Sequence, residues 1–371
     1  MAKLGVSGAI VQGIYHPGDI SIRDGVVAEI GLPPGKSGIA IPGFVDLQVN
    51  GFAGVDFATA TADDWNFASQ QLAQTGVTTY LANVISSHVT DLEKTLAVAK
   101  ALPRHQEKSS ATLAGIHLEG PFLAEAKAGI HPTNFLREPD SSLLDSWINT
   151  GPVVMVTIAP ELPGALSLIE ELSHKNIVTS LGHSNCTSEQ AQFGFDAGAT
   201  SVTHLFNGMS GITGRSPGLA GAALAQEDIW LQVILDYTHV DRVLLELLAQ
   251  CAPKRLVFVT DCLPATGTSA TAFTLGETQI QIVDGKAVNK SGVLAGSILT
   301  MGESLRNAIE CGMDEVDAIN ATSLNPLRLL DPAHVGPLAP GSSADIVVLS
   351  DSYSPKQIFL GGVEIQPQDG F

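Results

Sequence analysis

The feature that most constrains the fold of this chain is an alternation. Eight short apolar runs lie near residues 43–49, 77–84, 113–119, 153–159, 177–183, 201–204, 231–236 and 255–261 and read as strands. Helix-like stretches intervene, among them "TADDWNFASQQLAQTG", with Thr61 or Asp63 as cap, "SLLDSWINTG", "TSEQAQFGFDAGA" and "DRVLLELLAQC". Eight such units over roughly 290 residues match the length of a (β/α)8, TIM-like barrel, with a doubly wound open sheet as the competing topology.

The two ends of the chain differ from this middle. Residues 1–41 read as short strands and turns, with Asp24-Gly25 in "GDISIRDGVVAEIG" as a hairpin signal, and "GPLAPGSSADIVVLS" and "QIFLGGVEIQP" repeat that character. Chain termini often lie close together. The expectation is therefore an α/β protein with a barrel over 42–335 and a small β-sandwich built from 1–41 and 336–371.

Composition narrows the function. The 371 residues carry 38 acidic and 19 basic side chains, a formal charge of -19, which opposes general binding to nucleic acid or anionic membrane. An anionic substrate would need its own local cation. Cys186, Cys251, Cys262 and Cys311 form no CxxC pair, which fits a reduced cytoplasm. The first residues lack the unbroken apolar core of a signal peptide, and no apolar run approaches the ~20 residues of a spanning helix. No glycine-rich dinucleotide fingerprint or GxxxxGK[ST] motif is present.

In a barrel of this kind, catalytic groups sit at the C-terminal ends of the strands. Polar residues recur there: Glu119 in "HLEGP", His183 in "LGHSN", His204 in "VTHLFN" and Asp261 in "VTD". Singly, each has an ordinary reading as a turn, rim or capping residue. Together, Glu119, His183 and His204 make a two-histidine, one-carboxylate set that suits Zn2+ or Fe2+ with a position left open for water. Asp261 is then placed to take a proton from that water and return it to a leaving group. His117 shares a strand face with Glu119 and suits a supporting role. Gln48 and Asn50, in "PGFVDLQVNG", project from one face of the first strand.

Longer segments carry more. "PGFVDLQVNGFAGVDF" from 42, "GIHLEGPFL" from 115, "GIHPTNFLREPD" from 129, "LGHSNCT" from 181, "THLFNGM" from 203, "ITGRSPGLAGA" from 212, "FVTDCLPATG" from 258 and "LAGSILTM" from 294 occur in order. Together they resemble the amidohydrolase superfamily, in particular its amino-sugar-phosphate deacetylases, across nearly the whole chain.

The resemblance implies hydrolysis of the acetamido group of N-acetyl-D-glucosamine 6-phosphate. The galactosamine epimer is a close alternative, and another amidohydrolase or a non-catalytic metal-binding barrel more remote ones. It implies that Glu119, His183 and His204 bind the metal, that Asp261 is general base then acid, and that His239 helps the metal stabilise the oxyanion. His131 and His239 would hold the sugar or acetamido group, with Asn207, Gly208 and Arg215 around the phosphate, Arg215 acting from the neighbouring subunit of a homodimer. Where many members place an HxH pair, this chain has the amides Gln48 and Asn50, poor ligands that suit hydrogen bonding to water or substrate. One divalent ion per subunit follows. Tyr237, where relatives often have glycine, would either narrow the sugar site or pack outward.

Overall fold

The computed structural model describes residues 2–103, 109–334 and 336–368. Met1 and 369–371 of the expected terminal unit, and Val335 at the end of the expected barrel, lie outside the described residues.

All eight expected strands form, in chain order, as one parallel sheet. They are β1 Phe44–Val49, β2 Val77–Ile85, β3 Thr112–Glu119, β4 Val153–Ile158, β5 Val178–Leu181, β6 Ser201–Val202, β7 Trp230–Val233 and β8 Leu256–Phe258. The later strands are shorter than their apolar runs. His183, His204 and Asp261 have φ of 45°, 31° and 50°, so the chain leaves the extended conformation at the functional residues and cannot continue a ladder. Such left-handed positions cost of order 1–3 kcal/mol and persist where the surroundings hold them.

The sheet closes at one seam. Between β8 and β1 the described residues give a single parallel bridge, Val49 to Cys262, with the Asn50 N–H donating to the Cys262 carbonyl at 2.9 Å. Side chains supplement it. Asp46 accepts from the Thr260 N–H at 3.2 Å and from its hydroxyl at 2.5 Å.

The barrel is filled in layers. Val45, Leu47, Leu81, Met155, Val257 and Val259 pack together. Against them lies a buried polar belt in which His117 joins the Leu47 carbonyl at 3.2 Å and the Thr157 hydroxyl at 2.7 Å, and Thr157 meets Thr203 at 2.8 Å. Burial pushes the His117 imidazole down to about 4, so the ring is neutral and structural, as expected.

Outside the sheet run α1 Ala62–Ala73, α2 Val89–Ala101, α3 Ser141–Thr150, α4 Ala165–His174, α5 Ser188–Asp196, α6 Gly218–Ala225, α7 Arg242–Cys251 and α8 Met301–Glu310. Thr61 caps α1 through a reciprocal capping box with Asp64, a feature worth about 1 kcal/mol. Trp65 of α1 lies 4.5 Å from Phe57, which stacks on Tyr80 of β2 at 5.6 Å and fixes the helix on the sheet.

Between β8 and α8 stands a three-stranded antiparallel sheet, Ala272–Leu275, Thr278–Val283 and Lys286–Asn289, absent from the sequence expectation. Its Leu275, Ile280 and Ala287 cluster with Ile85, Leu263 and Ala295, so it is anchored at the end of β2 and over the loop after β8.

Both termini contribute to one six-stranded sheet, in which Ile346–Leu349 pairs antiparallel with Ile39–Pro42 and the latter pairs parallel with Gly8–Val11. A three-stranded sheet from Ala2–Lys3, Asp19–Arg23 and Val26–Leu32 accompanies it. Asp24 and Gly25, both with positive φ, make the expected hairpin turn. Val27, Ile20, Ala40, Ile346 and Phe359 form a core shared by the two ends of the chain. The fold is a (β/α)8 barrel with a β-sandwich built from both termini.

Candidate active site

Three donor atoms meet at the C-terminal rim of the barrel. Glu119 Oε1 lies 2.9 Å from His183 Nε2 and 3.0 Å from His204 Nε2, and the two imidazole nitrogens are 3.1 Å apart. Each side chain ends a different strand, and only barrel closure brings them together. The spacing fits three donors around one first-row cation, which are about 3 Å apart with bonds near 2 Å.

Protonation supports this. Although burial opposes its charge, the three neighbouring imidazoles of His131, His183 and His204 hold Glu119 well below the usual carboxylate range. Burial pushes His204 below its ordinary value, which favours the neutral ring. His183 Nδ1 donates to the Lys127 carbonyl at 2.7 Å, which turns Nε2 of the ring toward Glu119 and His204. The cluster can coordinate one divalent ion.

Glu161 steadies the loop behind His183, accepting from the Asn185 N–H at 2.6 Å and the Ser184 hydroxyl at 2.7 Å. Gly208 packs against the same ring. With φ of 55°, a Cβ there would stand 3.0 Å from His183 Nδ1.

These groups open onto a cavity of about 360 Å³. Glu119, His183, His204 and Asp261 line it, as do Asn50, His131, Asn207, Gly208 and His239. Burial first, then the charge of Glu119, holds the Asp261 carboxyl well above the usual range. Its Oδ1 accepts from Asn50 Nδ2 at 2.7 Å.

His131 Nδ1 lies 3.2 Å from the Ser86 N–H, an obligatory donor, so the ring proton sits on Nε2, 3.7 Å from Glu119 Oε1. Burial favours this neutral form. His239 Nδ1 donates to Asp236 Oδ2 at 2.7 Å, while Asp236 Oδ1 accepts the N–H groups of Thr238 and His239. Burial opposes the Asp236 charge, but the interactions with His239 and the Thr238 N–H together outweigh it and hold the carboxyl below its ordinary value. Among the described residues His239 Nε2 has no hydrogen-bond partner.

Two expected residues are not brought to the cavity. Gln48 is fully buried, and neither amide atom has a partner among the described residues. The β1–β2 register advances three residues on β1, from Asp46 to Val49, for two on β2, so Gln48 stands in a bulge. Arg215 is exposed on the turn closed by Thr213 and Ser216. Tyr237 packs outward: its hydroxyl donates to the Asn307 carbonyl at 3.1 Å, on α8.

Sequence reading gave no role to Asn83, Asp236 and Glu161, which hold other residues of the site, or to Ile85, Ile130, Ile234 and residues 292–296, which line the cavity. Asn83, in the run "VTTYLANV", was the one polar signal on the second strand end.

An amidohydrolase family model matches residues 39–365. N-acetylgalactosamine-6-phosphate deacetylase of Escherichia coli O157:H7 is 33% identical over 95% of this chain and 95% of its own length. The human N-acetylglucosamine-6-phosphate deacetylase is 35% identical over 87% of this chain and 82% of its own. Among solved structures, a variant of N-acetyl-D-glucosamine-6-phosphate deacetylase from Mycobacterium smegmatis, in complex with N-acetyl-D-glucosamine 6-phosphate, superposes with a TM-score of 0.91. That chain is 31% identical, the match covering 98% of this chain and 99% of the other. The protein described here belongs to the amidohydrolase family and is closely related to N-acetylglucosamine-6-phosphate deacetylases.

Proposed function

We propose that this protein hydrolyses the acetamido group of N-acetyl-D-glucosamine 6-phosphate, releasing acetate and D-glucosamine 6-phosphate. The observation that carries the reading is Asp261 facing the same cavity as the Glu119, His183 and His204 triangle. A divalent cation held by those three, Zn2+ or Fe2+ and one per subunit, would supply Lewis acidity, activating a water and polarising the amide carbonyl.

The protein's own groups do the rest. Asp261 Oδ1 is occupied by Asn50, so Oδ2 takes the proton from the attacking water and returns it to the leaving amine. A carboxyl held above its ordinary range suits both halves of that task. His131 offers Nε2–H to the substrate, and His239, oriented by Asp236, offers Nε2. Donation from His239 to a developing oxyanion requires the doubly protonated ring. Asn207 and Gly208 border the phosphate, with Arg215 reaching it from the partner subunit of a homodimer.

The organisation is a barrel over 42–335 and a sandwich of 1–41 with 336–371, working in the cytoplasm on a sugar phosphate, without nucleic acid or membrane. Four unpaired cysteines agree with that compartment, and no described helix is long and apolar enough to cross a membrane.

N-acetyl-D-galactosamine 6-phosphate is the second reading, favoured by the relative that matches 95% of both chains. The test compares acetate release from both epimers and from the unphosphorylated sugar, with cation content measured on the same sample. The glucosamine epimer should give the highest kcat/KM. No acetate from either phosphate after cation reconstitution would sink the reading.

A further inference from the structure

One buried residue joins the groups that hold the cation to the group that moves the proton. Asn83, at the end of β2, places Nδ2 2.6 Å from Glu119 Oε2 and 2.8 Å from Asn50 Oδ1. Asn50 Nδ2 in turn lies 2.7 Å from Asp261 Oδ1. Asn83, Asn50 and Glu119 are 2%, 3% and 3% exposed, so water does not substitute for these contacts.

The direction of the hydrogen bonds is forced. An ionised carboxylate only accepts, so Glu119 obliges Asn83 to present its amide nitrogen. Both N–H groups of that nitrogen are then engaged, one on Glu119 and one on Asn50. Asn50 must turn its oxygen toward Asn83, which leaves its nitrogen for Asp261. The orientation of two amides is thereby set by the charge of one ligand residue.

We propose that Asn83 is a positioning residue: it fixes Asn50 as a donor to Asp261. The claim rests on the deacetylase reading and adds a residue that touches neither substrate nor cation. With Asn83 in place, Asp261 Oδ1 is always an acceptor and proton traffic is confined to Oδ2. Without it, the Asn50 amide is free to turn over and set its oxygen against the Asp261 carboxylate.

The test uses the full chain with Asn83→Leu, Asn50→Leu and the double substitution. Each single change should lower kcat for acetate release by about 30-fold or more with KM within about threefold, since a donor to the reacting carboxylate acts on the chemical step. The double variant should fall no more than about threefold below the worse single, because both cut one chain. Calorimetric titration with Zn2+ should give one ion per chain in all four proteins. In cation-free protein labelled with 15N-asparagine, the Asn50 side-chain amide should exchange slowly in the wild type and rapidly in Asn83→Leu.

Multiplicative losses, or an Asn83→Leu defect cured by excess Zn2+, would overturn the proposal and leave Asn83 as a prop for Glu119 alone. Unchanged protection of the Asn50 amide would also overturn it. If Asn83→Leu does not fold, the smaller Asn83→Ala removes the same donor and carries the same expectations. A wild type that releases no acetate defeats the deacetylase reading, while the amide exchange still decides the role of Asn83.

Discussion

The Thr260 hydroxyl donates to the Asp46 carboxylate at 2.5 Å, across the seam where β8 and β1 share a single described bridge. The Gln48 and Thr260 N–H groups converge on the other oxygen, at 3.2 Å each. One buried carboxylate thus bonds three donors where the ladder is thinnest, and the next residue after Thr260 is Asp261.

Burial pushes Asp46 up to about 6 from 3.8, against the lowering effect of those hydrogen bonds. The raised value means that the folded state prefers the protonated form. Below about pH 4 both states are protonated and no penalty arises; as pH rises to about 6 the unfolded chain ionises first and stability falls, by about 3 kcal/mol in all. Asp46→Asn removes that loss. Urea midpoints at pH 4, 5, 6 and 7 should show the advantage of Asp46→Asn over wild type growing with pH, then levelling; a constant difference would refute it.

Asp261→Asn keeps the Asn50 contact and removes the proton acceptor. Its kcat should fall by roughly 10²–10⁴ while KM and bound cation change little. Steady-state kinetics with cation analysis on the same sample decides it, and undiminished turnover would reject the acid/base role.

Chelation should abolish acetate release and lower Tm, because a cation that binds only the folded state stabilises it. Zn2+ or Fe2+ should restore both. His183→Asn should show little response to either treatment, its cation site having lost a donor that the Lys127 carbonyl orients.

Tyr237 donates to the Asn307 carbonyl on α8 and faces away from the cavity. Tyr237→Phe should therefore lose about 1 kcal/mol of stability while leaving kcat/KM for either sugar phosphate within about threefold. A change in the preference between epimers would show that the phenol reaches the sugar after all.

Arg215 lies on an exposed turn away from the cavity. If it serves the phosphate across a dimer, Arg215→Ala should raise KM for the phosphorylated sugar by about tenfold or more, without effect on the unphosphorylated one. Light scattering on the same protein should find a dimer, and a monomer with unaltered KM would remove Arg215 from the site.

Much of this was legible along the chain. Apolar runs at regular spacing set eight strands, because a buried parallel strand must be apolar over its length whatever it packs against. "HLEGP", "LGHSN", "THLFN" and "VTD" placed Glu119, His183, His204 and Asp261 at strand ends, and the barrel rule then put them on one rim. The hairpin at Asp24-Gly25 and the Thr61 cap were local matters of backbone conformation and donor count, which sequence records directly.

Tertiary structure decided what depends on distance and direction. A bulge in β1, visible only in its pairing with β2, contains Gln48, which is buried off the cavity, while Asn50 lines it. The outward course of Tyr237, the Asp46 to Thr260 seam and the polarity of Asn83 each join residues that have no neighbour relation in sequence. The sequence determined which strands exist and which chemistry their ends carry, since periodicity and side-chain type are local properties. Closure of the barrel decided which of those ends meet, and which hydrogen-bond directions the buried carboxylates permit.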